Sequence, residues 1–136
     1  MPKAAASSSG TTAASRTTVS HLYWLPYCST CVKAEQFLIE RGVKVQHYTN
    51  LKEDAIGRET VAQLAEAVGG VEKLFSKRAM KYRSLGLDKK TLSDDDMLDY
   101  MVQEYTFIKR PVVVFEDGLT LAGFSAKQYE AALKPA

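Results

Sequence analysis

The spacing of apolar positions over residues 19–48 predicts a strand, a helix and a second strand. Residues 19–25 are largely apolar and aromatic, which is typical of a buried strand. Over residues 29–41 apolar side chains recur at helical spacing, and Gly42 is placed to end that helix. Residues 43–48 alternate in the manner of a second strand. This β-α-β order favours parallel strands joined by a right-handed crossover.

The middle of the chain has helical patterns only. Residues 58–68 place their apolar side chains on one helix face, and two glycines then stop the helix. Residues 71–75 predict a short helix. Ser93 and Asp96 have the spacing of a capping box, which opens a helix that reaches Tyr105.

The last third of the chain predicts a hairpin followed by a helix. Residues 111–115 are rich in β-branched side chains, and the Asp-Gly pair that follows turns the chain into residues 119–122. These two strands are expected to be antiparallel. Ser125 and Gln128 repeat the capping-box spacing and open the final helix.

The order of elements predicts an α/β fold with a four-stranded mixed sheet. It is the thioredoxin-like order, β-α-β and then β-β-α, with a helical insertion at about residues 56–105. We expect one domain over residues 19–136, because 136 residues are typical of a single domain. Residues 1–18 hold no large apolar side chain and are predicted to be a flexible tail.

Composition excludes several classes of protein. The 18 Lys and Arg residues nearly balance 16 Asp and Glu residues, so we expect no direct binding to nucleic acid. No apolar run has the length of a membrane span, and the N-terminal segment lacks the apolar core of a signal peptide. We therefore expect a cytoplasmic monomer, with no bound cofactor or metal.

Both cysteines of the chain lie in one motif, Cys28-Ser29-Thr30-Cys31, between the first predicted strand and helix. A thiol in the first turn of a helix faces unpaired N–H groups and the positive end of the helix dipole. Both favour the thiolate, which is the reactive form. Side chains three residues apart have Cβ atoms about 5–6 Å apart, close to the separation of about 3.5–4.5 Å in a disulfide. The hypothesis is redox chemistry at Cys28, with Cys31 as the resolving thiol.

Two simpler interpretations of the cysteine pair remain open. The thiols can be inert core residues that lie close together. They can also be half of a zinc site, although zinc usually takes four ligands and only His21 and His47 remain as candidates.

Two arginines are candidate anion ligands. In this order of elements Pro111 occupies the place where thioredoxin-like folds keep a cis proline facing the cysteine loop, so Arg110 would reach the same site. The alternative is a solvated arginine at a strand end. Arg78 belongs to a basic segment, residues 77–83, which predicts either an anion-binding corner or a solvated helix face.

Several short motifs together resemble the arsenate reductase (ArsC)/Spx family over about residues 19–133. They are Leu22-Tyr23, Pro26-Tyr27-Cys28-Ser29-Thr30-Cys31, Phe75-Ser76-Lys77-Arg78, Leu85-Gly86-Leu87, Ile108-Lys109-Arg110-Pro111 and Leu121-Ala122-Gly123-Phe124. The resemblance implies a thioredoxin-type domain with a helical insertion, in which the loop cysteine attacks arsenate and arginines hold the oxyanion.

The resemblance implies a role for each candidate residue. Cys28 is the nucleophile, and Arg110 and Arg78 bind the oxyanion with the N–H groups of Ser29 and Thr30. Pro111 has a structural role at the site.

The sequence also departs from the glutaredoxin-dependent reductases of the family. Cys31 replaces a serine, Trp24 replaces a histidine, and Gly123-Phe124-Ser125 stands where those enzymes have a third arginine.

The expected function is therefore a cytoplasmic arsenate reductase that forms a Cys28–Cys31 disulfide. Thioredoxin is the expected reductant, with glutaredoxin or a low-molecular-weight thiol as alternatives. A second possibility is an Spx-like redox-sensing regulator that binds RNA polymerase, for which Gly70 matches a contact glycine. A third is a general thiol–disulfide oxidoreductase.

Overall fold

The structure is a computed structural model that describes residues 16–134. A four-stranded mixed sheet forms its centre. The strands are β1 (Thr18–Trp24), β2 (Lys44–Asn50), β3 (Val112–Phe115) and β4 (Thr120–Ala122), in the spatial order β2-β1-β3-β4. β1 pairs in parallel with β2 and antiparallel with β3, and β3 and β4 form an antiparallel hairpin. The predicted mixed sheet and hairpin are confirmed.

Two helices cover one face of the sheet. They are α1 (Ser29–Glu40), which joins β1 to β2, and α6 (Ala126–Leu133), which ends the described chain. Burial of apolar surface between these helices and the sheet stabilises this half of the fold. The buried residues of this core are Val19, Leu22, Ala34, Leu38, Val43, Val113, Phe115, Tyr129 and Ala132.

The helical insertion forms a second core. Its helices are α2 (Arg58–Ala67), α3 (Val71–Leu74), α4 (Met80–Ser84) and α5 (Asp94–Gln103), with 3₁₀ turns at Leu87–Lys89 and Tyr105–Phe107. Val112 packs in this core, whereas its neighbour Val113 packs in the first one. Because successive strand residues point to opposite faces, the insertion covers the sheet face opposite α1 and α6.

The end of the segment predicted to be a tail is ordered. β1 begins at Thr18, and the Arg16 guanidinium pairs with Asp117 at 3.0 Å and donates to the Ala132 carbonyl at 2.8 Å. These contacts anchor the chain just before the sheet and correct the boundary predicted at residue 18. The rest of that predicted tail, residues 1–15, lies outside the described residues.

The predicted helix that opens at Ser93 ends earlier than the apolar spacing indicates. α5 stops at Gln103, and the next residues form the 3₁₀ turn. Phe107 is buried and stacks on Phe75, with ring centroids 5.3 Å apart, and Ile108 pairs with Phe75 in an antiparallel bridge. These contacts draw the chain out of the helix before Tyr105.

The two predicted capping boxes differ. At α5 the Ser93 hydroxyl accepts from the Asp96 N–H, and the Asp96 carboxylate accepts from the Ser93 N–H, both at 3.1 Å. At α6 the Ser125 hydroxyl accepts from the Gln128 N–H at 3.3 Å, and the reciprocal bond is absent among residues 16–134. Only the first is a complete capping box.

No helix in the described part of the chain is long and apolar enough to cross a membrane.

We expect Ser93→Ala to lower the free energy of unfolding by about 1 kcal/mol, because it leaves the Asp96 N–H in the first turn of α5 without its partner. Urea denaturation followed by circular dichroism measures this. Ser125→Ala is the matched control, and it should cost less because the bond from the Gln128 N–H to the Ser125 hydroxyl is longer, 3.3 Å against 3.1 Å at Ser93. Equal losses in the two variants would contradict the distinction between the caps.

Candidate active site

Cys28 caps the N-terminus of α1. Its N–H donates to the Leu25 carbonyl at 3.1 Å, and its own carbonyl accepts from the Val32 N–H at 2.9 Å. The residue has extended backbone angles and its thiol makes no capping hydrogen bond. The thiol therefore lies at the positive end of the helix dipole, where a negative charge is stabilised.

The surroundings of Cys28 favour its thiolate. Burial alone would raise the pKa of this thiol. The N–H and thiol of Cys31, the N–H of Thr30 and the positive charge of Arg110 act in the opposite direction. Together they lower the pKa of Cys28 below its ordinary value, so the nucleophilic form is more abundant at neutral pH.

Cys31 has the opposite character. Its side chain is fully buried, and burial is the main cause that raises its pKa to about 12. Its hydrogen bond to Cys28 and the charge of that neighbour raise the pKa further. Both cysteines are free thiols. The pair therefore consists of a reactive thiol and a protonated thiol that donates to it.

Sheet register brings Arg110 to the cysteines. Tyr23, near the end of β1, lies opposite Val112 at the start of β3. The residues just before β3 therefore lie beside the loop that leaves β1. The Arg110–Pro111 peptide bond is cis, and Pro111 is buried.

The Arg110 guanidinium is held on one side only. Its Nη1 donates to the carbonyls of Tyr105 and Ile108, each at 3.4 Å. Its Nε is buried and has no hydrogen-bond partner among residues 16–134. A buried donor without a partner is costly, and an anion at this position would satisfy it.

The structure does not bring Arg78 to the cysteines. Arg78 is exposed, and its N–H donates to the Ser76 hydroxyl at 3.4 Å. Within residues 16–134 no hydrogen bond or ion pair connects its side chain to the cysteine loop. The bridge between Phe75 and Ile108 is antiparallel, so the chain leaves it in opposite directions towards Arg78 and Arg110.

The remaining predicted site residues are in the first turn of α1. Ser29 and Thr30 are both exposed. The N–H of Thr30 is one of the groups that lower the pKa of Cys28. These first-turn N–H groups have no intrahelical partner and can donate to an anion bound at Cys28.

Three tyrosines at the site were missed by the sequence interpretation. Tyr105 was assigned to a helix, but it lies in the 3₁₀ turn and its ring faces the Arg110 guanidinium at 5.9 Å. Burial and then the neighbouring Tyr105 raise the pKa of Tyr27. Tyr129 is buried near Cys31 and donates to the Gly123 carbonyl at 2.8 Å. Tyr105 also fits the helical spacing of Met97 and Met101, so the sequence pattern did not indicate that it lies beside Arg110.

The zinc interpretation has no support in the described part of the chain. Among residues 16–134 no cluster of three or more His, Cys, Asp or Glu residues could hold a metal ion. His21 instead stacks on Tyr23, with ring centroids 4.3 Å apart, and its Nε2 pairs with the Thr49 hydroxyl.

Comparison with known proteins places this site in a family. The model of the ArsC family matches residues 23–132. The chain belongs to the ArsC family. The thioredoxin-like fold is confirmed by an arsenate reductase from Vibrio cholerae, which is 25% identical, has a TM-score of 0.74, and covers 87% of this chain and 99% of its own.

Curated relatives of this ArsC-family protein include an uncharacterized protein and a regulator. The uncharacterized protein YusI of Bacillus subtilis is 33% identical over 111 residues, which are 79% of this chain and 92% of YusI. The global transcriptional regulator Spx of Streptococcus pyogenes is 24% identical over 112 residues, 82% of this chain and 83% of Spx. Membership of the family is therefore compatible with both an enzyme and a regulator.

We expect Arg110→Gln to raise the pKa of Cys28, because the change removes a positive charge that stabilises the thiolate. The pH dependence of alkylation by iodoacetamide, followed by mass spectrometry of the Cys28 peptide, measures this. The midpoint should move to higher pH in the variant. Arg78→Gln is the matched control and should leave it in place. An equal upward shift in both variants would show that overall charge, and not contact with Arg110, is the cause.

Proposed function

We propose that this protein is an arsenate reductase that uses Cys28 as its nucleophile and Cys31 as its resolving thiol. One observation carries the proposal. A thiol with a lowered pKa lies beside a guanidinium whose buried Nε has no partner among residues 16–134. This pairing suits a small oxyanion that must be both bound and attacked. A general dithiol oxidoreductase has no need of such an anion ligand.

Binding of arsenate uses positive charge and N–H donors. Near neutral pH arsenate is a tetrahedral anion, and a guanidinium donates to such oxygens with favourable geometry. Arg110 and the N–H groups of Ser29 and Thr30 bind its oxygens at the positive end of α1. Arg78 as a second arginine ligand remains a prediction from the family resemblance, since within residues 16–134 no hydrogen bond or ion pair joins its side chain to the cysteine loop.

The first chemical step forms a covalent adduct. The Cys28 thiolate attacks arsenic and forms a sulfur–arsenic bond. One arsenate oxygen takes up two protons from solvent and leaves as water. Arsenic remains pentavalent in this step, and the negative charge of the Cys28 sulfur is lost.

The second step reduces arsenic and uses Cys31. Once the Cys28 sulfur is bonded, its charge no longer opposes ionisation of Cys31, and the positive charge of Arg110 then favours the Cys31 thiolate. This thiolate attacks the Cys28 sulfur, and the sulfur–arsenic bond breaks with its electron pair left on arsenic. Arsenite leaves, and two thiols have become one disulfide. The dithiol of thioredoxin then reduces that disulfide by exchange.

We expect arsenate to drive oxidation of NADPH when the protein is coupled to thioredoxin and thioredoxin reductase. Cys31→Ser should still form the arsenic adduct but lose this turnover, because nothing can displace the arsenic from Cys28. Cys28→Ser should lose both. Absorbance of NADPH measures turnover, and intact-protein mass spectrometry measures the adduct.

The same assay discriminates between the possible reductants and substrates. Turnover with glutaredoxin or a low-molecular-weight thiol alone would replace thioredoxin as the reductant. Absence of turnover with all three would contradict the proposed activity. Reduction of insulin without any response to arsenate would indicate a general thiol–disulfide oxidoreductase.

A second candidate function is that of an Spx-like regulator. The relatives named Spx and the Cys28–Cys31 pair favour it, because one dithiol can serve as a reversible sensor. Gly70, the residue matched to a contact glycine of Spx, has a positive φ of 142° after α2. Its N–H donates to the Ala65 carbonyl at 2.8 Å, so its conformation is equally explained as a helix stop.

If the protein is such a regulator, it will bind the C-terminal domain of the RNA polymerase α subunit, and oxidant will change that binding. A pull-down with the purified domain, with and without diamide, measures this. Cys31→Ser should abolish the response to oxidant because it prevents the internal disulfide. Lack of binding in both redox states, together with arsenate turnover, would exclude the regulatory function.

A further inference from the structure

The backbone around Arg110 is held from two directions. On its N-terminal side the Lys109 N–H donates to the Leu74 carbonyl at 2.9 Å, which connects this segment to the helical insertion. On its C-terminal side the Pro111 carbonyl accepts from the Gly123 N–H at 2.8 Å. Proline has no N–H, so its carbonyl is the only backbone group through which Pro111 can hydrogen-bond. The place of Arg110 beside the cysteine loop therefore depends on the position of Gly123.

A buried tyrosine fixes Gly123 in turn. The Tyr129 hydroxyl, on α6, donates to the Gly123 carbonyl at 2.8 Å, and the Tyr129 side chain is fully buried. The Tyr129 ring packs edge-on against the rings of Phe37 and Phe124, with centroids 5.8 Å and 4.9 Å away. Because the ring is held by these neighbours, Gly123 moves only if a buried hydrogen bond breaks, which is costly.

The backbone conformation of Gly123 makes both hydrogen bonds possible. Its φ is 80°, in the left-handed region that glycine adopts readily and other residues rarely adopt. A Cβ at this position would meet no atom within 4 Å, so the conformation and not the available space calls for glycine. In this conformation the N–H of Gly123 bonds to Pro111 and its carbonyl bonds to Tyr129.

We propose that Tyr129 is a positioning residue that holds Arg110 beside the cysteine loop through Gly123 and Pro111. The buried Tyr129 hydroxyl is occupied by the Gly123 carbonyl, so it acts through its neighbours and not on the substrate. This inference rests on the proposed function only for the role of Arg110 as the anion ligand. The link from Tyr129 to Arg110 is tested without arsenate.

The test measures the midpoint of the pH dependence of Cys28 alkylation by iodoacetamide, because this midpoint responds to the charge of Arg110. Tyr129→Phe removes the hydroxyl and keeps the ring. Gly123→Ala disturbs the same link from the other side, since alanine disfavours a φ of 80°. Phe37→Leu is the matched control, because it removes a ring that packs on Tyr129 but leaves both hydrogen bonds of Gly123 in place.

We expect the midpoint to move to higher pH in Tyr129→Phe and in Gly123→Ala. The alkylation rate at pH 7 should fall about two- to fivefold, the upper figure being the effect of one whole hydrogen bond. Phe37→Leu should lower the free energy of unfolding but leave the midpoint in place. An unchanged midpoint in Tyr129→Phe, or an equal shift in Phe37→Leu, would overturn the inference.

A double variant tests whether Tyr129 acts through Arg110. In the Arg110→Gln background, Tyr129→Phe should cause no further shift, because the charge that Tyr129 positions is gone. Additive shifts would mean that Tyr129 acts on the cysteines by another route, and they would overturn the positioning role. If the midpoints behave as expected while arsenate turnover is absent, the positioning role stands and the proposed function fails.

Discussion

A negative charge on the Cys28 sulfur is the feature on which the site depends. The first turn of α1 supplies N–H donors, Cys31 supplies a thiol donor, and Arg110 supplies a positive charge. No single one of these groups has to be strong, because they act on the same sulfur. As a result, the two thiols have pKa values that are shifted in opposite directions. Cys28 is half-buried and has a lowered pKa, whereas Cys31 is buried, has a raised pKa and remains protonated until Cys28 has reacted.

The fold makes this arrangement from two distant parts of the chain. The cysteine loop follows β1, and Arg110 precedes β3. Because these strands are antiparallel neighbours, the end of one lies beside the start of the other. The two cores keep the strands in this register, since alternate residues of β3 pack on α1 and α6 or on the helical insertion. The insertion then contributes Tyr105, which contacts Arg110.

Local patterns in the sequence were sufficient for most of the fold. Hydrophobic spacing predicted the strands, the hairpin and the main helices, and the cysteine motif indicated the N-terminus of α1. Such local patterns do not predict contacts between residues that are far apart in the sequence. Tyr105 has the spacing of a helical residue, but the stacking of Phe107 on Phe75 and the bridge between Phe75 and Ile108 draw the chain out of the helix. The cis-proline position placed Arg110 at the cysteine loop from the sequence, whereas the basic segment around Arg78 gave no such position, and the antiparallel bridge directs the chain towards the two arginines in different directions. Thr18 belongs to β1 because it pairs with Lys44 of β2. The two residues are 26 positions apart, so a local pattern does not reveal this pairing.

A single-turnover experiment tests the central claim most directly. The fully reduced protein is mixed with arsenate in the absence of any reductant, and arsenite and protein thiols are counted. The account predicts one arsenite released for each Cys28–Cys31 disulfide formed, with the disulfide located by mass spectrometry of the joined peptides. Loss of both thiols without release of arsenite, or retention of both thiols in the presence of arsenate, would contradict it.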